Sequence, residues 1–510
     1  MTDASGPLDE PGTNADPVHE PHSVEPSSIP KSIPIADSPH LWVASTYFAE
    51  GLPYGVVHTL AEVLFKNFGA SLGAIGLTAL FHLPWNLKFL WGPLLDLYGT
   101  KRRWILGLEA AIVAGLVGLS ATTLTDRVLA VSSTLFLMLA VVSATHDAAI
   151  DGFYLEALDK KNQSKFVGYR GATYRTALLV VRGGLVALVG LAGWLATFLS
   201  ATAIFALVAV YHALHLPRVE VAKRPIRDLW SALLRPRHLA AIGLVLVSGF
   251  SVVVLIRSEV GQKAIHAILS TAPFMTRIST AGWIAIVLFL SLLLLLAALP
   301  RLKQRIEQRN PGYASSFITF LDQPRVGLIL AFVILFRAGE SFLEKMRIAF
   351  LLDSGLTEIQ LGFVNGTLAV LATIGAIFVG GWLISRHGLA RWIWPFALLQ
   401  NLPNLLYAGV GIWPELKTTT ALYAVVTLEA GGAGFGTAVF LVYLMRCVKR
   451  GHTASHMAIV TALMSLGFTL AGAMSGFIAE SFGYGLFFAF TFVAAIPAML
   501  LIPFLPHVRP

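Results

Sequence analysis

The sequence predicts an all-α membrane protein, and three observations carry that expectation. Only 13% of its 510 residues are charged and 56% are hydrophobic, where a soluble chain carries about 25% charged residues. Mostly apolar stretches of about 20 residues, the length that crosses a bilayer core as a helix, recur along the chain. Loops rich in Lys and Arg then fall on alternate sides of those stretches.

The candidate spans lie near 41–65, 73–95, 104–124, 129–157, 166–192, 194–215, 238–257, 281–299, 327–352, 359–385, 390–412, 419–446, 453–479 and 484–506, which makes 14 spans. Basic loops at 99–103 ("GTKRR"), 159–165, 217–230, 301–309, 385–391 and 446–450 share one phase, while 124–126, 196–203 and 353–358 are poor in Lys and Arg. The positive-inside rule therefore puts both termini in the cytoplasm. The loop at 257–280, with Arg257, Lys263 and Arg277, fits that phase least well.

Residues 1–40 are rich in Pro, Ser, Asp and Glu with few large apolar side chains. Such a composition predicts a disordered cytoplasmic tail, and it lacks the basic start and apolar core of a signal peptide. The remainder reads as two halves, 41–215 and 326–510, of six helices each. "GPLLDLYGTKRR" (92–103) and "GGWLISRHGLAR" (380–391) occupy matching places in them, as parallel repeats do in one class of transporter. The segment 216–325, with basic loops and two extra spans at 238–257 and 281–299, is then an insert between halves.

Within this apolar chain, "LFRAGESFLEKMRIAFLLD" (335–353) carries Arg337, Glu340, Glu344, Lys345 and Arg347. A single charge at the bilayer centre costs about 2.5–3.5 kcal/mol on insertion scales. Spacings of 3, 4 and 3 put Arg337, Glu340, Glu344 and Arg347 on one helical face. At 1.5 Å per residue, Arg337 and Glu340 lie near the midplane, about 15 Å in, and Lys345 and Arg347 near an interface to which they can snorkel. Setting aside the two spans of the insert, Glu50, the i, i+4 pair Asp147 and Asp151, and Glu429 recur in spans 1, 4 and 10, while Lys88, Arg175 and Arg182 add positive charge. Ionisable groups at this depth usually mark substrate or proton paths. One central polar cavity lined by both halves accounts for them all, with helix-locking ion pairs as the alternative for Lys88, Asp151 and Arg182.

Other features read more plainly. His58 and His82 suit packing or an interface, and Tyr47, Tyr54 and Trp85 suit either packing or stacking on sugar rings. The glycine runs at 431–436 and 471–476 suit close helix contact. Cys447 is the only cysteine, so no intrachain disulfide forms. There is no GxxxxGK[ST] or HExxH motif, which argues against a chain that hydrolyses ATP itself or works as a metalloprotease. No cofactor, metal or nucleic acid is expected, only a small solute, protons and lipid. Asp96 with Lys101, Arg102 and Arg103 reads as a cytoplasmic latch between spans 2 and 3.

"GPLLDLYGTKRR" resembles the loop signature of the major facilitator superfamily. "FAEGLPYGV" (48–56), "KFLWGPLLDLYG" (88–99), "SATHDAAIDGF" (143–153), "VNGTLAVLATIGAIFVGG" (364–381) and "LEAGGAGFGTAVFLVYLM" (428–445) resemble the AmpG-like muropeptide permeases, in a branch shared with acetyl-CoA transporters. The resemblance covers about 41–215 and 325–505. It implies the major facilitator fold and a proton symporter in a bacterial inner membrane, importing anhydromuropeptides for peptidoglycan recycling. By motif it marks Gly51, Pro53, Lys88, Asp96, Asp147, Asp151, Arg337, Glu340, Asn365 and Glu429. The chain departs from the pattern in three places. His146 stands where relatives have Gln, Gly366 stands where they have Lys, and "FLEKMR" (342–347) is more charged. On this reading Arg337 holds a carboxylate of the substrate and Glu340 or Glu344 carries the proton. Alternatives are import of a siderophore, CoA ester or other sugar-peptide, or a non-transporting sensor or scaffold.

Overall fold

The computed structural model describes residues 38–88, 91–158, 160–218, 319–447 and 453–508, with isolated positions between 224 and 263. Residues 1–37 of the tail and the expected spans at 238–257 and 281–299 lie outside the described residues.

The described chain is helical, and its only β pairing is an isolated bridge between Tyr98 and Arg224. In order the helices are α1 (39–67), α2 (Leu72–Leu87), α3 (Lys101–Thr122), α4 (Val128–Ala157), α5 (160–192), α6 (194–215), α7 (Val326–Asp353), α8 (Glu358–His387), α9 (389–412), α10 (Thr419–Arg446), α11 (453–482) and α12 (484–504). Among the described residues, seven helical stretches are long and apolar enough to cross a membrane. Two of these, Tyr169–His215 and Leu463–Phe504, each hold two helices that part at a glycine. Gly193 (φ 79°) and Gly483 (φ 75°) take the left-handed backbone that a side chain would strain. Elsewhere the starts are capped. Ser71, Thr100 and Thr418 accept hydrogen bonds from Ala74, Arg103 and Ala421 N–H, and Thr357 with Gln360 forms a capping box, each satisfying an otherwise orphaned donor.

The outward faces are apolar. Phe378 is 75% exposed and Leu207 72%, a surface suited to lipid. Glycines set the inner contacts. Gly432 and Gly434 let α10 meet α9 and α8, and Gly476 lets α11 meet the start of α2, as the two glycine runs suggested.

α7 is not one rod. It breaks between Val326–Leu335 and Ala338–Asp353, with Arg337 (φ −99°, ψ 8°) capping the second piece. Single π-helical turns interrupt α1 at Val56–Leu60, α5 at Val180–Leu185 and α8 at Gly362–Leu368, a distortion that often marks functional sites.

The bonds that join the halves gather towards the end where α1 turns to α2 and α7 to α8. There Lys66 Nζ lies 2.5 Å from Asp353, Asn67 Nδ2 donates to Glu358 Oε1 (3.0 Å) and Tyr484 OH donates to Asp353 Oδ2 (2.6 Å). Deeper in, Lys345 Nζ donates to Glu62 Oε1 at 2.6 Å. α5 and α8 touch through Gly183, Gly362 and Gly366. A Cβ at Gly362 would sit 2.6 Å from Gly183 O, and one at Gly366 would collide with the Gly183 backbone.

Candidate functional site

Between the halves lies a cavity of about 320 Å³. Its charged wall is the face that the 3, 4, 3 spacing on α7 defines: Arg337, Glu340, Glu344 and Arg347. Arg175 and Arg182 of α5, Asn365 of α8 and Glu429 of α10 complete it.

Most of these charges are already matched. Arg337 clasps Glu340 with two N–H groups, one from Nε at 2.9 Å, and Gln400 Nε2 donates to the same carboxylate at 2.8 Å. Arg347 Nη1 donates to Glu429 Oε2 at 2.8 Å. Glu344 is held more loosely and from both halves: Arg182 approaches to 3.6 Å and Arg347 to 3.9 Å. Hydrogen-bonded pairing of this kind is what makes a buried charge tolerable.

One expectation changes here. Lys345 and Arg347 do not snorkel to an interface; they are 5% and 7% exposed. Partners on other helices, Glu62 and Glu429, satisfy them inside the protein. Gly366 packs against Gly183, and its neighbour Asn365 lines the cavity.

The N-terminal half builds a second cluster. Lys88 Nζ donates to Asp147 Oδ2 at 2.7 Å. Arg170 Nη2 and Tyr47 OH both donate to Asp151 Oδ1, at 2.7 and 3.0 Å. The Arg170 guanidinium lies 4.4 Å from the Tyr47 ring centre, a cation–π contact. Glu50 comes within 4.8 Å of both aspartates, oxygen to oxygen, and its Oε2 is buried without a hydrogen-bond partner. Gly51 serves packing here, since a Cβ on it would lie 2.7 Å from Tyr174 O of α5.

Behind this cluster is a third. His146 and His212 are fully buried beside Glu109 of α3. His212 Nδ1 bonds Glu109 and its Nε2 meets Ser45 Oγ at 2.8 Å. His146 Nε2 stands 3.4 Å from Glu109, and neither of its ring nitrogens makes a hydrogen bond. Adjacent residues on α4 thus face opposite ways, Asp147 to Lys88 and His146 to the back of the half. His58 and His82 are bonded to each other (2.7 Å), and His82 to Ser465 of α11 (2.6 Å), which makes them interface residues. Tyr54 stacks on His58 at 4.1 Å, and Trp85 packs edge-on against both.

At the basic end, Arg102 donates to Leu216 O and Ala213 O (2.9 and 2.7 Å), tying α3 to the last turn of α6. Lys101 is buried against Gly152, and Arg103 is exposed. The Asp96 side chain lies outside the described residues.

Known proteins fit this architecture. No family model matches the chain. It is 24% identical over 468 residues to the anhydromuropeptide permease of Escherichia coli K12, covering 89% of this chain and 77% of that protein. Over 222 residues it is 28% identical to the putative transporter AmpG 2 of Rickettsia bellii, covering 43% and 54%. An auto-inhibited POT family peptide transporter superposes with a TM-score of 0.65 at 14% identity, covering 92% of this chain and 98% of that one. The nucleoside transporter NupG does so at 0.58 and 13%, covering 91% and 98%.

The chain has a transporter's fold.

Its named relatives are permeases and transporters, not enzymes. With its apolar helices, that makes it a multi-pass membrane protein resembling the AmpG-like permeases. Sequence reasoning missed five members of these networks: Glu62, Gln400, Glu109, Arg170 and His212. The signal that was available is the rarity of such residues inside apolar segments.

Proposed function

We propose that this protein is a proton-coupled secondary transporter that carries anhydromuropeptides into the cytoplasm across a bacterial inner membrane. One observation carries the reading: a chain this apolar places four arginines and three glutamates around a cavity between its halves. Ion pairs that served only to lock helices would not need a cavity.

At one end Lys66 and Asp353 bridge the halves. The other end belongs with the basic loops 99–103 and 385–391, which the positive-inside rule assigns to the cytoplasm. That assignment supports reading this conformation as inward-facing. Rocking one half against the other about a central site is the expected cycle for such a fold.

Glu344 is the best-placed proton carrier. Glu340 and Glu429 are fixed by short bonds within the C-terminal half, and rocking leaves those bonds intact. Glu344 contacts Arg182 of the other half, so its surroundings change when the halves part. A proton on Glu344 cancels its attraction for Arg182 and frees the bridged end to open. Proteoliposomes should accumulate labelled anhydromuropeptide only under an inward proton gradient. Glu344→Gln should still exchange solute across the membrane yet fail to concentrate it. Gradient-driven accumulation by that variant moves the proton carrier elsewhere, and no uptake by wild type under any gradient sinks the reading.

A further inference from the structure

We propose that Arg175 anchors a carboxylate of the solute and Asn365 pairs with one of its amides, so the cavity selects an N-acylated, carboxylate-bearing peptide held across both halves. The inference rests on the transport reading above and gives that cavity a ligand class.

Arg337 was the arginine expected to hold the carboxylate, and the structure leaves it no capacity for the task. Its guanidinium is committed to Glu340, which Gln400 also holds. Arg347 is committed to Glu429, and Arg182 stands 3.6 Å from Glu344. Arg175 alone of the four lining arginines has no ion-pair or hydrogen-bond partner among the described residues, and it is exposed. The three lining glutamates thus balance the other three arginines, and one positive charge remains. A cavity with one spare guanidinium complements one carboxylate, which the planar N–H fork can grip with two bonds.

Asn365 supplies the second, independent observation. It is only 3% exposed, yet it lines the cavity and its side chain makes no hydrogen bond among the described residues. Its Oδ1 is buried without a partner. A buried polar group left unpaired is costly, so a ligand that pairs with it gains accordingly. A carboxamide offers one donor face and one acceptor face, and the group that answers both is another amide, in a peptide bond or an acetamido substituent.

Placement fixes the spacing. Asn365 adjoins Gly366, where α8 touches Gly183 of α5. Arg175 is eight residues from Gly183 along α5, about 12 Å towards the basic loops. That rise is matched by a few peptide units at about 3.3–3.6 Å each.

The test uses the full-length protein in detergent and two probes, anhydromuropeptide and N-acetyl-tri-alanine, the latter with a free or an amidated C-terminus. Wild type should bind the free acid at least tenfold more tightly than the amide. Arg175→Gln should lose that preference and bind both forms alike, with Arg175→Lys recovering part of it. Asn365→Leu should weaken both forms by a similar factor and keep the preference. Arg175→Gln that retains the preference overturns the assignment, as does Asn365→Leu that binds like wild type. Binding of the acetyl-peptide without the muropeptide would retire the muropeptide reading and keep the two roles. Binding of neither probe by wild type would overturn both.

Discussion

The N-terminal half crowds its buried carboxylates together, and the C-terminal half spreads its own out, nearly one to a cation. Glu50, Asp147 and Asp151 lie within 4.8 Å of one another and answer to two cations, Lys88 and Arg170. Glu340 and Glu429 each have an arginine of their own half, while Glu344 also borrows Arg182 from the other half. The difference divides the labour. Saturated pairs behave as structure, because moving either partner uncovers a buried charge. The crowded cluster has a carboxylate to spare, and its Lys88 and Arg170 side chains are 31% and 33% exposed. That half can change its charge without unfolding.

The largest effect should come from breaking a saturated pair. Arg347→Ala strands Glu429, whose side chain is 4% exposed, and should cost about 3–5 kcal/mol of stability. Arg170→Ala removes a partner from Asp151, whose side chain is 40% exposed, and should cost less than about 1 kcal/mol. Thermal unfolding in one detergent compares them directly. Equal losses would erase the distinction between the halves.

A smaller pair of changes sharpens the same contrast. Glu340→Gln weakens the charged bond with Arg337 and disturbs the one from Gln400, and should lose about 1.5–3 kcal/mol. Glu50→Gln removes a carboxylate that has a buried, unpartnered oxygen among two neighbouring aspartates. It should leave stability unchanged or raise it. A clear loss for Glu50→Gln would mean that Glu50 has a partner in the folded state after all.

Much of this was legible in the sequence, and what was not shares one cause. Helical period alone put Arg337, Glu340, Glu344 and Arg347 on one face, and that face lines the cavity. Gly193 fell between two apolar stretches and is the break between α5 and α6. Partnership was not legible. Lys345 and Glu62 are 283 residues apart, so distance to the membrane surface was the only guide to how Lys345 is satisfied, and it pointed outward. Gln400 and His212 stand out as polar residues in apolar segments, but nothing in the local pattern names the carboxylate each one meets. The break at Arg337 was hidden too, because no Pro or Gly precedes it in "LILAFVILF" (328–336).

The smallest effect is expected where the sequence departs from its relatives without changing the bonding. His146 stands where the resemblance to the AmpG-like permeases leads one to expect Gln. Its ring is fully buried, yet it makes no hydrogen bond, and its nearest charged neighbour, Glu109, stands 3.4 Å away. His212 already satisfies Glu109 and is itself steadied by Ser45. His146→Gln would keep a polar N–H within reach of Glu109 and lose mainly the edge contact with Phe205, at 6.2 Å between ring centres. The substitution should therefore cost less than about 1 kcal/mol and leave uptake at the wild-type rate across pH. Uptake that loses its pH dependence in His146→Gln would give the Glu109 network a share in proton coupling. The crowded charge of the N-terminal half would then extend through α4 instead of ending at Asp147.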